Sequence, residues 1–332
     1  MGQSYKVWVT RRIPEAGIEM LREAAEVEVW EDELPPPRDL ILDKIGELDG
    51  ILALLTDRMD AAVMDRAKKL KVIANYAVGF DNVDVPAATE RGILVTNTPG
   101  VLTETTADLA FTLLMATARH IVPSDRYTRE GRWKTWGPML FLGQDIHHAA
   151  LGLIGLGRIG AEVAKRARGF DMRVRYFDPI RNEEAERRLG IEYADLDTIL
   201  KESDFVSLHT PLTPETRHLI GARELALMKP TAILINTSRG PVVDQKALYE
   251  ALKNRTLYAA GLDVFDVEPV PKDEPLLSLD NVVAVPHIAS ASFATRTRMA
   301  TLAAENLLAG LRGTQPPTPV NPEVLSAPQR RR

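Results

Sequence analysis

Along this chain, apolar and polar positions alternate in blocks rather than residue by residue. Short apolar runs at 7–9, 51–55, 72–74 and 93–95 are separated by segments with apolar residues at helical spacing, at 16–25, 38–45, 61–68 and 85–91. A strand that is apolar along its whole length has both faces covered, and helices between such strands supply the cover. Residues 1–98 therefore predict a parallel sheet between two helical layers, with Pro35-Pro36-Pro37 in a surface loop. Asn97-Thr98-Pro99-Gly100 breaks the pattern. Thr103-Glu104-Thr105-Thr106 then reads as a capping region for a helix from about 107 to 118, apolar on most faces and so buried, crossing between domains or lying in a subunit interface.

A second alternation runs from Leu151, with strands predicted at 151–154, 174–177, 205–208, 233–235, 259–262 and 282–285 and helices at 161–170, 196–202, 222–228 and 245–253. After Pro286 comes one more helix, at 292–311, then Pro316-Pro317-Thr318-Pro319 and a basic tail at 330–332 that is expected to be disordered. The last helix is assigned to the first alternation. That makes a discontinuous domain of 1–99 and 290–332, with a second domain, 100–289, inserted into it.

Leu151 to Asp178 contains the most specific local signal. An apolar run enters Gly155-Leu156-Gly157-Arg158-Ile159-Gly160, followed by an amphipathic helix, a second apolar run and an acid. In a dinucleotide site the first glycine permits the tight turn, the second lets backbone approach a pyrophosphate, and the third lets helix and strand pack closely. The helix N-terminus adds free N–H donors and partial positive charge. Asp178 follows the last glycine by nearly the ~20 residues at which a carboxylate meets the adenosine ribose hydroxyls, which favours NAD over NADP; Arg181 and Arg187 are nearby cations able to offset its repulsion of a 2′-phosphate. The competing reading is a glycine turn that binds nothing, to which strand, helix, second strand and acid in order are poorly suited.

Composition narrows the partners. The 332 residues suit about two domains of roughly 150 each, and a net charge of −5 gives no electrostatic case for nucleic acid or an anionic membrane. Met1 to Arg12 has no apolar signal region, and no run approaches the roughly 18 apolar residues that span a bilayer, so a cytoplasmic protein is expected. There is no cysteine, which removes disulfides, thiolate nucleophiles and zinc–thiolate sites. His147 and His148 are adjacent; neighbours on a strand point apart and no carboxylate cluster accompanies them, so no metal is expected.

Hydride transfer to a 2-oxo acid needs a cation for the carboxylate, an acid for the carbonyl oxygen and a group that tunes that acid. Arg239, in Asn236-Thr237-Ser238-Arg239-Gly240, lies at the C-terminal end of a predicted buried strand, where open α/β sheets bind ligands. Its guanidinium suits two-point recognition of a carboxylate. His287, at the end of a later strand, is able to give a proton to a carbonyl oxygen and take it back, and Glu268, if it meets the other ring nitrogen, favours the imidazolium. Singly, each fits equally well as a surface arginine, a solvated glutamate or a core histidine; together they follow three successive strand ends. His120, His209 and His218 read as structural.

These residues, with Val78-Gly79-Phe80-Asp81-Asn82-Val83-Asp84, Thr103 to Asp108, Phe141-Leu142-Gly143, Gly155 to Gly160, His209-Thr210-Pro211-Leu212, Asp263 to Pro269 and Pro286 to Ser290, resemble over nearly the whole chain the D-isomer-specific 2-hydroxyacid dehydrogenases, and within them the glyoxylate/hydroxypyruvate reductases. The resemblance implies an α/β fold of two doubly wound parallel-sheet domains, a Rossmann NAD-binding domain inserted into a flavodoxin-like substrate domain, with a cleft closing over the substrate. It implies that Arg239 binds the substrate carboxylate, that His287 is the acid/base and Glu268 its partner, and that Leu55 and the N–H groups of Val78 and Gly79 also contact substrate. Gly155, Gly157, Arg158, Ile159, Gly160, Asp178, Thr106, Thr210, Pro211, Thr216, Thr237, Ser238, Asp263 and Ser290 match its cofactor-contacting positions.

The resemblance further implies a homodimer through the dinucleotide domain, with 133–142 as an arm reaching the neighbour; on sequence alone that segment fits a core loop equally well. One departure is His147-His148-Ala149-Ala150, where relatives usually carry a Gly-Lys-Thr-like run. The expected activity is NADH-dependent reduction of glyoxylate, with hydroxypyruvate as a second substrate. The alternatives are another D-2-hydroxyacid dehydrogenase, of D-lactate or D-glycerate type, and a non-enzymatic NADH-sensing corepressor-like module.

Overall fold

The computed structural model describes residues 4–326, so the basic tail at 330–332 lies outside the described residues. The chain divides into two compact units, the first formed by residues up to Leu102 with those from Ala291 onward, the second by Thr103–Ser290.

In the first unit the chain runs β1 (Tyr5–Val9), α1 (Glu15–Arg22), β2 (Ala25–Val29), α2 (Arg38–Lys44), β3 (Gly50–Ala53), α3 (Ala61–Arg66), β4 (Val72–Asn75), α4 (Val85–Glu90) and β5 (Leu94–Thr96). All pairings are parallel, in the order β2-β1-β3-β4-β5, which is the flavodoxin-like order. β3, β4 and β5 are buried throughout, as their unbroken apolar runs require.

β2 was not anticipated. Its sequence, Ala-Glu-Val-Glu-Val, alternates, and the predicted helix at 16–25 overran its start. The helix stops at Arg22, a turn at Glu23-Ala24 follows, and the chain then pairs with β1 as an edge strand.

The second unit opens with α5 (Thr103–Ala118) and α6 (Ile121–Arg129), then β6 (Ala150–Ile154), α7 (Arg158–Ala167), β7 (Arg173–Phe177), α8 (Glu183–Leu189), β8 (Glu192–Tyr193), α9 (Leu196–Glu202), β9 (Phe205–Leu208), α10 (Ala222–Leu227), β10 (Ile233–Asn236), α11 (Gln245–Lys253), β11 (Ala259–Leu262) and β12 (Val282–Ala284). The sheet is parallel, ordered β12-β11-β10-β9-β6-β7-β8, the doubly wound order with the fingerprint strand β6 at the reversal of direction.

One expectation about α5 is corrected: Thr103 to Thr106 is its first turn, not a cap preceding it. The helix packs on the sheet of its own unit. A Cβ on Gly261 of β11 would stand 2.8 Å from Thr117 Oγ1 and 3.3 Å from Leu113 Cβ, so this glycine lets the helix settle on the strand. α6, α8 and β8 went unpredicted; α6 has no buried residue, and β8 is a two-residue edge.

α12 (Phe293–Arg312) returns to the first unit. Gly17 of α1 has no room for a Cβ, which would sit 2.7 Å from Ala300 O, and Gly310 likewise faces Val72 at 2.8 Å. The chain after α12 is tied to β5 by Asn321, whose Oδ1 accepts from Val95 N–H at 2.7 Å and whose Nδ2 donates to Ile93 O at 3.0 Å.

Candidate functional site

In the second unit, the residues singled out from sequence gather at the C-terminal ends of the strands. Gly155 ends β6 at φ +95°, a conformation that glycine adopts without strain, and a Cβ there would meet His209 O at 2.7 Å. A Cβ on Gly160 would stand 2.2 Å from Gly155 O, so helix and turn pack through this glycine. A Cβ on Gly157 would meet nothing within 4 Å. The middle glycine faces open space at the start of α7, where the first N–H groups of the helix have no intrahelical acceptor.

Asp178, after β7, accepts from Leu156 N–H at 2.9 Å and Ile180 N–H at 3.2 Å, tying the glycine turn to the neighbouring strand end. Of the two cations near it, Arg181 makes a two-point pair with Glu186 at 2.8 and 2.9 Å, and Arg187 lies 3.7 Å from Glu183. Glu186 is held down at about 2, first by its hydrogen bond from Arg181. Both arginines thus already have carboxylate partners.

Thr210, after β9, and Thr237, after β10, have buried hydroxyls without a hydrogen-bond partner among the described residues. Buried polar atoms are normally satisfied; these two, with the open face of Gly157 and the α7 N-terminus, fit a large polar ligand such as a dinucleotide. Thr216 spends its hydroxyl on its own loop, donating to Pro211 O at 2.6 Å. Thr106 is buried on α5, whereas Arg158 is exposed at the head of α7.

His287 and Glu268, the expected acid–base pair, meet directly. His287 Nδ1 lies 2.6 Å from Glu268 Oε2, and Glu268 Oε1 accepts from Phe265 N–H at 2.9 Å, which fixes the carboxylate plane. Burial alone pushes Glu268 up; the hydrogen bond and charge of His287, the Phe265 N–H and the charge of Arg239 outweigh it and leave Glu268 below the ordinary carboxylate range.

Arg239 sits on a loop clamped by Asn236, whose Nδ2 donates to Arg239 O at 2.9 Å and whose Oδ1 accepts from Ser238 N–H at 3.0 Å. A Cβ on Gly240 would lie 1.9 Å from Phe265 C, so the loop carrying Arg239 and the loop carrying Glu268 are in backbone contact. Arg239, Glu268 and His287, distant in sequence, are brought to one edge of one sheet.

His287 itself lies at φ +53°, in the left-handed region. Asp263, fully buried at the end of β11, holds it there: its backbone carbonyl accepts from His287 N–H at 3.0 Å, and its carboxylate accepts from Ile288 N–H at 2.6 Å and Ala289 N–H at 2.9 Å. Burial pushes this carboxyl up to about 6 against those N–H groups and the charge of His287. Sequence reading paired Asp263 with the cofactor and missed this anchoring, as it missed the Asn236 clamp. The available signal was a polar residue ending an otherwise apolar strand run.

Two of the three histidines read as structural show ordinary partners. His120 Nε2 lies 2.9 Å from Tyr258 Oη, and His209 Nε2 lies 2.9 Å from Ser207 Oγ. Burial brings His209 down to about 4. His147 and His148 stand on a turn, not a strand, and their rings meet edge to face at 5.2 Å instead of pointing apart. Among the described residues no group of three or more His, Asp or Glu is disposed to hold a metal, and no helix is long and apolar enough to cross a membrane.

Residues 111–289 match the family model described as D-isomer specific 2-hydroxyacid dehydrogenase, NAD binding domain. The chain is 58% identical over 321 residues to a glyoxylate reductase of Korarchaeum cryptofilum, covering 96% of this chain and 97% of the relative. It is 55% identical over 324 residues to a glyoxylate reductase of Pyrococcus horikoshii, covering 96% and 97%. Among solved structures, the TT0316 protein of Thermus thermophilus superposes with TM-score 0.90 at 52% identity, covering 95% of this chain and 99% of that one. An NADPH-dependent glyoxylate/hydroxypyruvate reductase of Sinorhizobium meliloti, in complex with NADP and malonate, superposes with TM-score 0.86 at 36% identity, covering 96% and 97%. With the fold, the glycine turn and the His–Glu pair in place, these matches establish that the chain belongs to the D-isomer-specific 2-hydroxyacid dehydrogenase family.

Proposed function

We propose that this chain reduces glyoxylate, with hydroxypyruvate as a second substrate, using NADH. The observation that carries the reading is the 2.6 Å contact of His287 Nδ1 with Glu268 Oε2 beside the Arg239 loop, in a chain so similar to glyoxylate reductases. A bound nicotinamide dinucleotide supplies a hydride to the carbonyl carbon. The chain's own residues do the rest. Glu268 accepts a hydrogen bond from Nδ1–H of His287 and fixes the ring, which leaves Nε2 as the atom that gives a proton to the carbonyl oxygen and recovers it in reverse. Arg239 holds the carboxylate through its planar fork. Leu55 and the N–H groups of Val78 and Gly79 complete the proposed substrate contacts.

Gly155, Gly157, Arg158, Ile159 and Gly160 would hold the pyrophosphate and Asp178 the ribose, with Thr106, Thr210, Pro211, Thr216, Thr237, Ser238, Asp263 and Ser290 as the remaining cofactor contacts. The Sinorhizobium relative holds NADP. For this chain, NAD is favoured by the Asp178 carboxylate and by the pairing of Arg181 with Glu186, which leaves that guanidinium already satisfied by a carboxylate. Residues 100–289 are proposed as the dinucleotide domain, inserted into a substrate domain of 1–99 and 290–332.

One panel tests the substrate and the cofactor: initial rates with glyoxylate, hydroxypyruvate and pyruvate, each with NADH and NADPH. The highest kcat/KM is expected for glyoxylate with NADH. Pyruvate turned over as well as glyoxylate would overturn the substrate, and a higher kcat/KM with NADPH the cofactor.

A further inference from the structure

Three successive peptide groups follow β4 in the first unit, and each has its carbonyl tied down on one side. Ala77 O accepts from Thr98 N–H at 2.8 Å, Val78 O from Asn97 Nδ2 at 2.7 Å, and Gly79 O from Asn75 Nδ2 at 2.8 Å. A peptide group is planar and trans, so its N–H points opposite to its C=O. Anchoring the carbonyls of Ala77, Val78 and Gly79 therefore aims the N–H groups of Val78, Gly79 and Phe80 the other way. Among the described residues none of these three N–H groups finds a protein acceptor, although Val78 and Gly79 are only half exposed.

The anchors are themselves rigid. Asn75 is fully buried and Asn97 is 9% exposed. The Asn97 carbonyl accepts from Asn306 Nδ2 at 3.0 Å and Thr318 Oγ1 at 2.7 Å. Asn75 pairs amide to amide with Asn82, whose Nδ2 also donates to Leu54 O and Asp57 O at 3.1 Å. The same network thus fixes the loop that bears Leu55.

We infer that Asn97 and Asn75 are positioning residues for substrate carboxylate binding: they never touch the substrate, but by anchoring the Val78 and Gly79 carbonyls they hold the adjoining N–H donors in an anion-receiving arc. This rests on the proposed reduction of a 2-oxo acid. Pre-aimed donors bind an anion without a reorganisation cost, and one hydrogen bond to a charged group is worth about tenfold or more in affinity.

The test uses two nearly isosteric variants of the full chain, Asn97→Asp and Asn75→Asp, each of which replaces the donor with an acceptor that repels the carbonyl. Each should raise KM for glyoxylate about tenfold or more with NADH Kd close to the parent's, and each should lower Tm, more so at the fully buried Asn75. Reduction of glyoxal, an aldehyde without a carboxylate, should keep the parent's kcat/KM. If one variant fails to fold, the other carries the test, with Asn97→Ser as a milder third. An unchanged KM, or equal losses with glyoxylate and glyoxal, would overturn the positioning role. A parent that reduces no 2-oxo acid would overturn the proposed function and this inference together, whereas an active parent with indifferent variants overturns this inference alone.

Discussion

At the residue scale, the site is a set of charges whose orientation is fixed by groups that do no chemistry. His287 is held by Glu268 on the ring and by Asp263 on the backbone, and Glu268 is in turn held by Phe265 N–H. Replacing His287 with Ala removes the proposed proton donor. kcat for reduction should fall by about 10²–10⁴-fold, while NADH titration by fluorescence gives the parent's Kd; activity within a few-fold of the parent would remove His287 from the mechanism. Arg239→Lys keeps the charge but loses the planar fork, so it should raise KM for glyoxylate by roughly 10-fold or more with a smaller effect on kcat. Both residues were legible in the sequence because each follows a predicted strand. The clamps were not, because Asn236 and Asn75 act by hydrogen-bonding the backbone of their own loops, a role that no residue pattern marks. They share a position, though: each is the polar last residue of a buried apolar strand, Ile233–Asn236 and Val72–Asn75, and each donates to a carbonyl three or four residues on.

At the element scale, long apolar runs were read well, since a strand covered on both faces leaves no other pattern. What escaped were elements with too little burial to leave a mark: α6 with no buried residue, β8 with two exposed residues, and β2, whose alternating glutamates continued the amphipathic rhythm of α1. The turn between β6 and α7 was legible as a glycine turn entering a helix, and the structure allows the separate tasks proposed for its glycines to be tested apart. A methyl group on Gly157 meets nothing in the chain, whereas one on Gly160 meets Gly155 O at 2.2 Å. Gly157→Ala should therefore leave the urea midpoint unchanged and weaken NADH binding. Gly160→Ala should lower stability by about 1–3 kcal/mol, the usual cost of overpacking. Equal loss of stability in both would mean that the middle glycine serves the fold and not a ligand.

At the scale of the molecule, Trp133, Trp136, Met139 and Leu142 are 57–78% exposed in the single chain, which rules out the core-loop alternative for this segment. So many exposed large apolar side chains within ten residues fit a segment covered by a partner, and a homodimer through it is proposed: light scattering should give twice the chain mass for the parent and a smaller mass for the double variant Trp136→Glu, Met139→Glu. Two groups of the second unit contribute to stability against pH with opposite sign. His209 falls from 6.5 to about 4 on burial, so between those values the unfolded chain binds the proton and the folded one does not; its contribution is whole above pH 6.5 and is lost as pH falls toward 4. Asp263 rises from 3.8 to about 6 on burial, so in that window the folded chain holds the extra proton and stability increases as pH falls. The windows overlap and the two slopes oppose each other. Removing one titration should expose the other: the Tm of His209→Gln relative to the parent should climb as pH falls from 6.5 to 4, while that of Asp263→Asn relative to the parent should decline as pH falls from 6 to 3.8. Parallel Tm curves for parent and both variants would show that neither group titrates between its folded and unfolded values.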